Sequence, residues 1–372
     1  MSLYGGWLNR CTFEAAELDD LLAGNLCRCT GYGPIVRAGQ SLVGQPLADW
    51  EEDRLSKETA YLEACADLPE LSYSADGVHY LAPATKDRFS EAYLNQPDAQ
   101  IIAGATDIGL WITKQNRKLS VFLSVQDVDG LDRIEEQEDG VLIGAAVTHQ
   151  QAAEQLGGRF PDLAELWRRF GSLQVRSSGT VGGNIANGSP IGDLAPALIA
   201  LDADLYLRVG PKQRQLKLEQ FFLGYGHQDR KDAEWVESLF IPNLEEGWRF
   251  HCYKLSRRFD QDISAVMLAA NLEITDGVID GVRLAFGGMA GIPKRASSAE
   301  AVLAGNSLDI ASFKKAAATL ADDFTPMSDM RGSARYRLLT AQNLLVKYGL
   351  ELVSGKKMRL AGQGLVASLE GW

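Results

Sequence analysis

The stretch that most constrains this chain is Arg176-Ser-Ser-Gly-Thr-Val-Gly-Gly-Asn-Ile-Ala-Asn-Gly-Ser-Pro-Ile-Gly-Asp193, in which five glycines fall within 18 positions. Glycine tolerates φ > 0 and lets the backbone approach a ligand with no Cβ in the way. Consecutive N–H groups then form a concavity suited to an anion such as a pyrophosphate. Thr180, Asn184 and Ser189 add side-chain hydrogen bonds, and Asp193 offers an acceptor for a hydroxyl or amide. The plainer alternative is a tight loop whose glycines serve geometry alone; their density favours the cradle. A second segment, Ile101-Ile-Ala-Gly-Ala-Thr-Asp-Ile108, has the form of a strand end followed by a small-residue turn, again suited to phosphate. Neither segment is the G-x-G-x-x-G of a Rossmann unit, and the chain has no G-x-x-x-x-G-K-[ST].

The length of 372 residues predicts two or three domains. A net charge of -12 argues against nucleic acid, whose phosphates call for a basic surface, and against docking on anionic membranes. No apolar run approaches the roughly 18 residues of a membrane span, and no signal peptide is visible. Five cysteines, Cys11, Cys27, Cys29, Cys65 and Cys252, form no evident disulfide framework, which predicts a reducing, cytoplasmic setting.

Helical spacing of Leu18, Leu21 and Leu22 predicts a helix over Glu14 to Ala23, stopped by Gly24. From Gly44 to Asp76 the chain is polar and acidic and reads as a linker with one short helix at Glu58 to Ala66. Short strands are predicted at Ala99 to Ala103, Val121 to Val125, Val141 to Ala145, Ala203 to Val209 and Trp235 to Ile241. Helices are predicted at His149 to Leu156, Pro161 to Phe170 and from about Asp193 to Leu201. Ala265 to Ile274 and Val278 to Phe286 flank Asp276-Gly277 as a hairpin, followed by helices over Leu308 to Leu320 and Ala334 to Tyr348. The last third therefore reads as an α+β unit.

The four histidines, His79, His149, His227 and His251, show no metal spacing such as H-E-x-x-H. Gly188-Ser189-Pro190 is not a nucleophile elbow, and Trp111, Trp167 and Trp235 read as packing residues.

Taken together, Ile101 to Ile108 and Thr180 to Asp193 resemble the FAD-binding domain of the molybdenum hydroxylases, the family of xanthine dehydrogenase, aldehyde oxidase and carbon monoxide dehydrogenase. The Asn184-Ile-Ala-Asn-Gly-Ser-Pro-Ile-Gly-Asp193 core looks most like the small subunit of bacterial xanthine dehydrogenases. Tyr336-Arg-Leu-Leu-Thr-Ala-Gln-Asn-Leu-Leu345 is similar to the closing helix of the flavoprotein C-terminal domain. The resemblance implies an α+β fold: a two-part FAD-binding domain of the molybdenum hydroxylase/vanillyl-alcohol-oxidase type, then an α+β C-terminal domain. It sets the boundaries at 1–43 for a remnant of a helical iron–sulfur domain, 44–73 for a linker, 74–248 for the FAD domain and 249–360 for the C-terminal domain.

Carried over by position, Ile101, Ile102, Ala103, Gly104, Ala105, Thr106, Asp107 and Ile108 would hold the FAD pyrophosphate and adenosine side. Gly179, Thr180, Gly182, Gly183, Asn184 and Ala186 would line the cofactor, with Asp193 as a polar anchor. Phe170 and Val236 match packing positions, Lys254 a basic contact, and Leu255 to Ala265 the segment near the nicotinamide entrance. Leu22-Ala-Gly-Asn-Leu-Cys-Arg-Cys-Thr-Gly-Tyr-Gly-Pro-Ile35 looks like the second [2Fe-2S] motif of the family, which makes Cys27 and Cys29 metal ligands. A cluster needs four ligands, and the upstream Cys-x-x-Cys pair of relatives would lie just before Met1. The expectation is an incomplete cluster motif, through truncation, a misassigned start codon or a split gene. The implied role is an FAD-binding electron-transfer subunit, catalysing no hydroxylation of its own. It would hetero-oligomerise with a molybdenum-cofactor-bearing large subunit and pass electrons from iron–sulfur clusters through FAD to NAD+ in purine oxidation. The alternatives are an FAD subunit of a carbon monoxide, nicotinate or aldehyde dehydrogenase type, a stand-alone FAD oxidase, or a non-catalytic assembly protein that kept the fold.

Overall fold

The structure, a computed structural model, describes residues 1–9, 11–26, 31–65 and 70–358. It opens with four helices: α1 (Ser2–Leu8), α2 (Ala15–Leu22), α3 (Tyr32–Gln40) and α4 (Asp49–Cys65). Phe13 and Leu18 are buried among the first three, where Gly6 and Gly39 leave room for Leu21 and Leu18. This unit touches the body of the protein through Asp20, bonded at 3.1 Å to Arg168, and through Gly24, packed against Gln174. Helix α4 is far longer than the short helix expected at Glu58 to Ala66. The acidic run that reads as linker, Asp49, Glu51 and Glu52, forms its first turn, where negative charge complements the unpaired N–H groups.

The next unit pairs the hairpin β1 (Leu71–Ala75) and β2 (Val78–Ala82) with α5 (Lys86–Asn95), β3 (Gln100–Ile102), α6 (Ile108–Thr113) and β4 (Val121–Ser124). The sheet order is β1-β2-β4-β3, with β4 parallel to both β2 and β3. Thr85 caps α5 by accepting from the Arg88 N–H, and Phe89 of that helix packs on Trp235 with ring centroids 4.7 Å apart.

A larger unit begins with β5 (Ile134–Glu136) and β6 (Gly140–Gly144). The helices α7 (His149–Leu156), α8 (Pro161–Arg168), α9 (Leu173–Ser178), α10 (Val181–Asn187) and α11 (Leu194–Ala200) follow. It closes with β7 (Asp204–Val209), β8 (Lys212–Lys217), α12 (Leu218–Phe221), β9 (Phe222–Gly224), β10 (His227–Gln228) and β11 (Trp235–Pro242). The five-stranded order is β5-β6-β11-β7-β8, antiparallel throughout. The glycine-rich stretch is therefore largely helical. Of its five glycines only Gly188 has positive φ, at 61°, where it ends α10. The others serve close packing: a Cβ on Gly182 would lie 2.4 Å from that of Ala145.

The last unit consists of β12 (Trp248–Leu255), β13 (Val266–Thr275), β14 (Val278–Gly287), β15 (Lys294–Arg295), α13 (Ser297–Leu303), α14 (Ile310–Asp323) and α15 (Ala334–Ser354). Its antiparallel sheet runs β12-β13-β14-β15, and the predicted turn is present with positive φ at both Asp276 and Gly277. Side chains alternate along β13. Val266, Leu268, Ala270 and Leu272 join a core with α13, α14 and α15, whereas Met267 and Ala269 join the core around α8 and α11. One sheet thus carries apolar side chains on both faces. Its outer strand β12 is covered by α8 and the turn after it: Asp162 accepts from the Cys252 N–H at 3.4 Å, and Arg169 donates to the Lys254 carbonyl at 2.9 Å.

Candidate functional site

The two nominated segments meet. Gly104, in the turn after β3, sits so close to the end of α9 that a Cβ there would fall 1.6 Å from the Ser178 carbonyl oxygen and 2.8 Å from the Gly179 nitrogen. The point where Gly179 would carry its own Cβ lies 3.2 Å from Thr106 Oγ1 and 3.4 Å from His149 Cδ2. Only glycine at both positions permits this approach. Ala105 is held at φ 55°, the left-handed region that an alanine enters at some cost. Among the described residues, none accepts a hydrogen bond from the N–H groups of Ala103, Gly104, Ala105, Thr106 or Asp107. Five successive free donors on a half-exposed turn are an anion-binding arrangement, because such groups otherwise find partners.

The floor beside this turn is rigid. Val181 and Gly182 donate to the carbonyls of Val147 and Ala145 at 2.9 and 3.1 Å, fastening α10 to the end of β6. Thr180 caps α10 by accepting from the Gly183 N–H at 3.0 Å. Gly183 is exposed, Asn184 is half-buried beside it, and the Ala186 carbonyl accepts from Gln228 at 2.6 Å. Ile101, Ile102 and Ile108 are half-buried around the turn.

Two residues that no motif points to complete this side. Arg176 is buried and donates to the carbonyls of Arg168, Phe170 and Gly171 at 3.2, 3.3 and 3.2 Å, and to Gln150 at 3.1 Å. It thereby holds the turn that carries Phe170. The Phe170 ring lies 4.4 Å from that of His149, whose Nδ1 is sealed from solvent with no hydrogen-bond partner. Burial, and then the nearby Arg176 charge, push the His149 imidazole down to about 3, so it is neutral. These contacts are made across the fold, and neither residue has a spacing that sequence reasoning could use.

Asp193 and Lys254 lie next to each other rather than in the turn. The Lys254 ammonium donates to Asp193 and, at 3.1 Å, to Ser264, which also donates to Asp193; all three side chains are buried. Arg337 of α15 ties this corner down by donating to the carbonyls of Ala265 and Gly288. Val236 is a core residue of β11. In the loop from Leu255 to Ala265, Asp262 accepts from the Arg258 N–H at 2.9 Å, and Phe259 packs under Arg169 at 4.2 Å. Cys27 and Cys29 lie outside the described residues, so nothing here tests them as ligands. Among the described residues no group of histidine, cysteine, aspartate and glutamate is placed to hold a metal ion.

A parallel-edged nucleotide half, an antiparallel half, a bare N–H turn between them and a covering α+β unit define a dinucleotide-binding flavoprotein architecture. Residues 73–244 match the family described as FAD binding domain in molybdopterin dehydrogenase, and 251–352 match the CO dehydrogenase flavoprotein C-terminal domain. The chain belongs to the FAD-binding subunit family of the molybdenum hydroxylases. It is 27% identical to a xanthine dehydrogenase of Emericella nidulans over 100% of this chain and 32% of that protein, so it spans about a third of that relative's length. The nicotine 6-hydroxylase medium subunit of Paenarthrobacter nicotinovorans is 28% identical over 72% of this chain and 94% of its own. A carbon monoxide dehydrogenase structure from Hydrogenophaga pseudoflava superposes with a TM-score of 0.69 at 25% identity, covering 75% of this chain and 96% of that one. None of the described helices is long and apolar enough to cross a membrane.

Proposed function

We propose that the chain is the FAD-binding electron-transfer subunit of a xanthine dehydrogenase-like molybdenum hydroxylase, with NAD+ as final acceptor. The observation that carries the FAD site is the run of five free N–H groups from Ala103 to Asp107, set against Ser178 and Gly179. Those donors suit a diphosphate, and they are fixed before it arrives because Gly104 is locked against α9. Thr180, Gly183 and Asn184 continue the same surface, and Phe170, held by Arg176, offers an apolar face. FAD, when bound, supplies the two-electron and one-electron redox chemistry that lets such a subunit join clusters to a nicotinamide. The protein's part is to grip the diphosphate, orient the ring system and exclude water with the loop from Leu255 to Ala265.

The hetero-oligomer reading rests on the medium-subunit relative, whose chain this one covers almost completely. A large subunit bearing molybdenum would supply the hydroxylation site. The division at 74–248 and 249–360 agrees with where the sheets change. Residues 1–43 and the cysteines Cys27 and Cys29 are proposed to face an iron–sulfur centre. A carbon monoxide, nicotine or aldehyde substrate for the partner is the second reading, favoured by the solved relatives.

The test is to titrate the purified chain with FAD and then add NADH without oxygen. Retained flavin absorption near the protein, bleached by NADH, is the expected result. A chain that takes up no FAD would sink the proposal, and bound flavin indifferent to NADH would remove the NAD+ part alone.

A further inference from the structure

His149 opens α7 beside the cradle, and its surroundings are unusual for a structural histidine. A histidine buried for packing has both ring nitrogens matched, since an unmatched polar group in the interior is costly. Here Nδ1 is sealed without a partner, whereas Nε2 is not sealed. The ring carbon bonded to Nε2, Cδ2, lies 3.4 Å from the same point beside Gly179 that is 3.2 Å from Thr106 Oγ1. That edge of the imidazole therefore faces the turn whose N–H groups are free. The opposite face is occupied by Phe170, which fixes the ring plane.

The charges around it would repel a proton in the absence of an anion. Arg176 reaches it from α9 and is the charge that acts on it most directly. Asp107 is half-buried on the facing turn. Arg168 is engaged by Glu165 and Asp20, Arg169 is packed on Phe259, and Glu154, farther along α7, is bonded to Gln150. A dianion seated on the Ala103 to Asp107 turn reverses this balance, because an adjacent opposite charge favours the protonated imidazole.

We infer that His149 is a further ligand of the cofactor's diphosphate, donating from Nε2 and taking up one proton from solvent as the diphosphate enters. No covalent bond forms or breaks; the proton comes from the buffer and stays on the imidazole. This rests on the FAD reading of the site and adds to it a residue and a pH dependence.

Calorimetric titration of the full chain with FAD at pH 6, in two buffers of unlike ionisation enthalpy, counts the protons directly. The expected count is about one per FAD, with affinity falling towards about tenfold per pH unit as the pH rises past the value at which the complex releases it. Riboflavin, which has the ring but no diphosphate, is expected to bind without proton uptake. His149→Gln is expected to abolish the uptake and weaken FAD by about tenfold at pH 6, the size of one charge-assisted hydrogen bond. His149→Phe, which keeps the packing on Phe170, serves if the glutamine variant folds poorly. FAD bound without a proton, or an unchanged proton count in either variant, overturns this inference alone. Failure of the wild-type chain to bind FAD overturns it together with the reading of the site.

Discussion

The turn from Ala103 to Asp107 and the cluster of Asp193, Lys254 and Ser264 were nominated for the same cofactor, and they are built on opposite rules. In the turn, backbone donors are left without partners and Ala105 is held in an uncomfortable conformation. In the cluster, the ammonium and the carboxylate are matched inside the chain, with Asp193 4% and Lys254 8% exposed. Two of the three ammonium donors are already used there, leaving one for a ligand. The difference teaches that a position shared with a family identifies a neighbourhood, whereas unmatched polar groups identify where a ligand is needed. On this view the cluster shapes the site and the turn grips the molecule.

The largest effect that bears on this contrast is expected from Lys254→Met. It strands a buried carboxylate beside Ser264 and should cost about 3–5 kcal/mol of stability, read from urea unfolding. Asp193→Asn in the same chain should return much of it. FAD affinity, measured on the folded fraction, should change little. A large loss of affinity with stability spared would break the contrast and make Lys254 a gripping residue.

Gly104→Ala tests the other side. The added Cβ meets backbone at Ser178, which cannot rotate away, so about 2–3 kcal/mol of overpacking strain is expected. Because the turn must shift from α9 to relieve it, FAD affinity should fall by about a hundredfold, far more than for Lys254→Met. Equal losses in the two variants would mean that stability alone governs binding.

Much of this was legible in the sequence because the determining signals are local. The strands Val121–Ser124 and Trp235–Pro242, the Asp276-Gly277 hairpin and the helices His149–Leu156 and Ala334–Ser354 follow from hydrophobic period and turn chemistry. The glycine-rich stretch marked the site, yet its glycines act by tight packing more than by positive φ, and helix α10 runs through it. That helix was hidden because Gly182 and Gly183 are poor helix formers by themselves, and it rests on the Thr180 cap and on bonds to β6. The acidic start of α4 was hidden for a related reason: composition reads as linker until the charges are placed at a helix N-terminus. Arg176 and His149 were out of reach, since their partners are brought together only by the turn after α8 and the end of α9.

His149 supplies the smallest of the expected effects, and one that separates the two regions by pH. Its proton affinity is lowered from the ordinary histidine value of 6.5 to about 3 in the folded chain. The unfolded chain therefore binds the proton first as the pH falls. The stability associated with a neutral His149 is complete above about pH 7 and is lost progressively from about 6.5 down towards 3, at about 1.4 kcal/mol per pH unit. At pH 5 the loss should reach about 2 kcal/mol. His149→Phe should remove this part of the slope, so the difference between the two urea midpoints across pH 7.5 to 5 isolates it from every other titrating group. Saturating FAD should flatten the wild-type slope as well, because the complex would then hold the same proton as the unfolded chain. The Lys254 cluster makes no such demand, since its ammonium and carboxylate are paired with or without a cofactor. A wild-type slope that FAD leaves unaltered would place His149 with the cluster, as scaffolding.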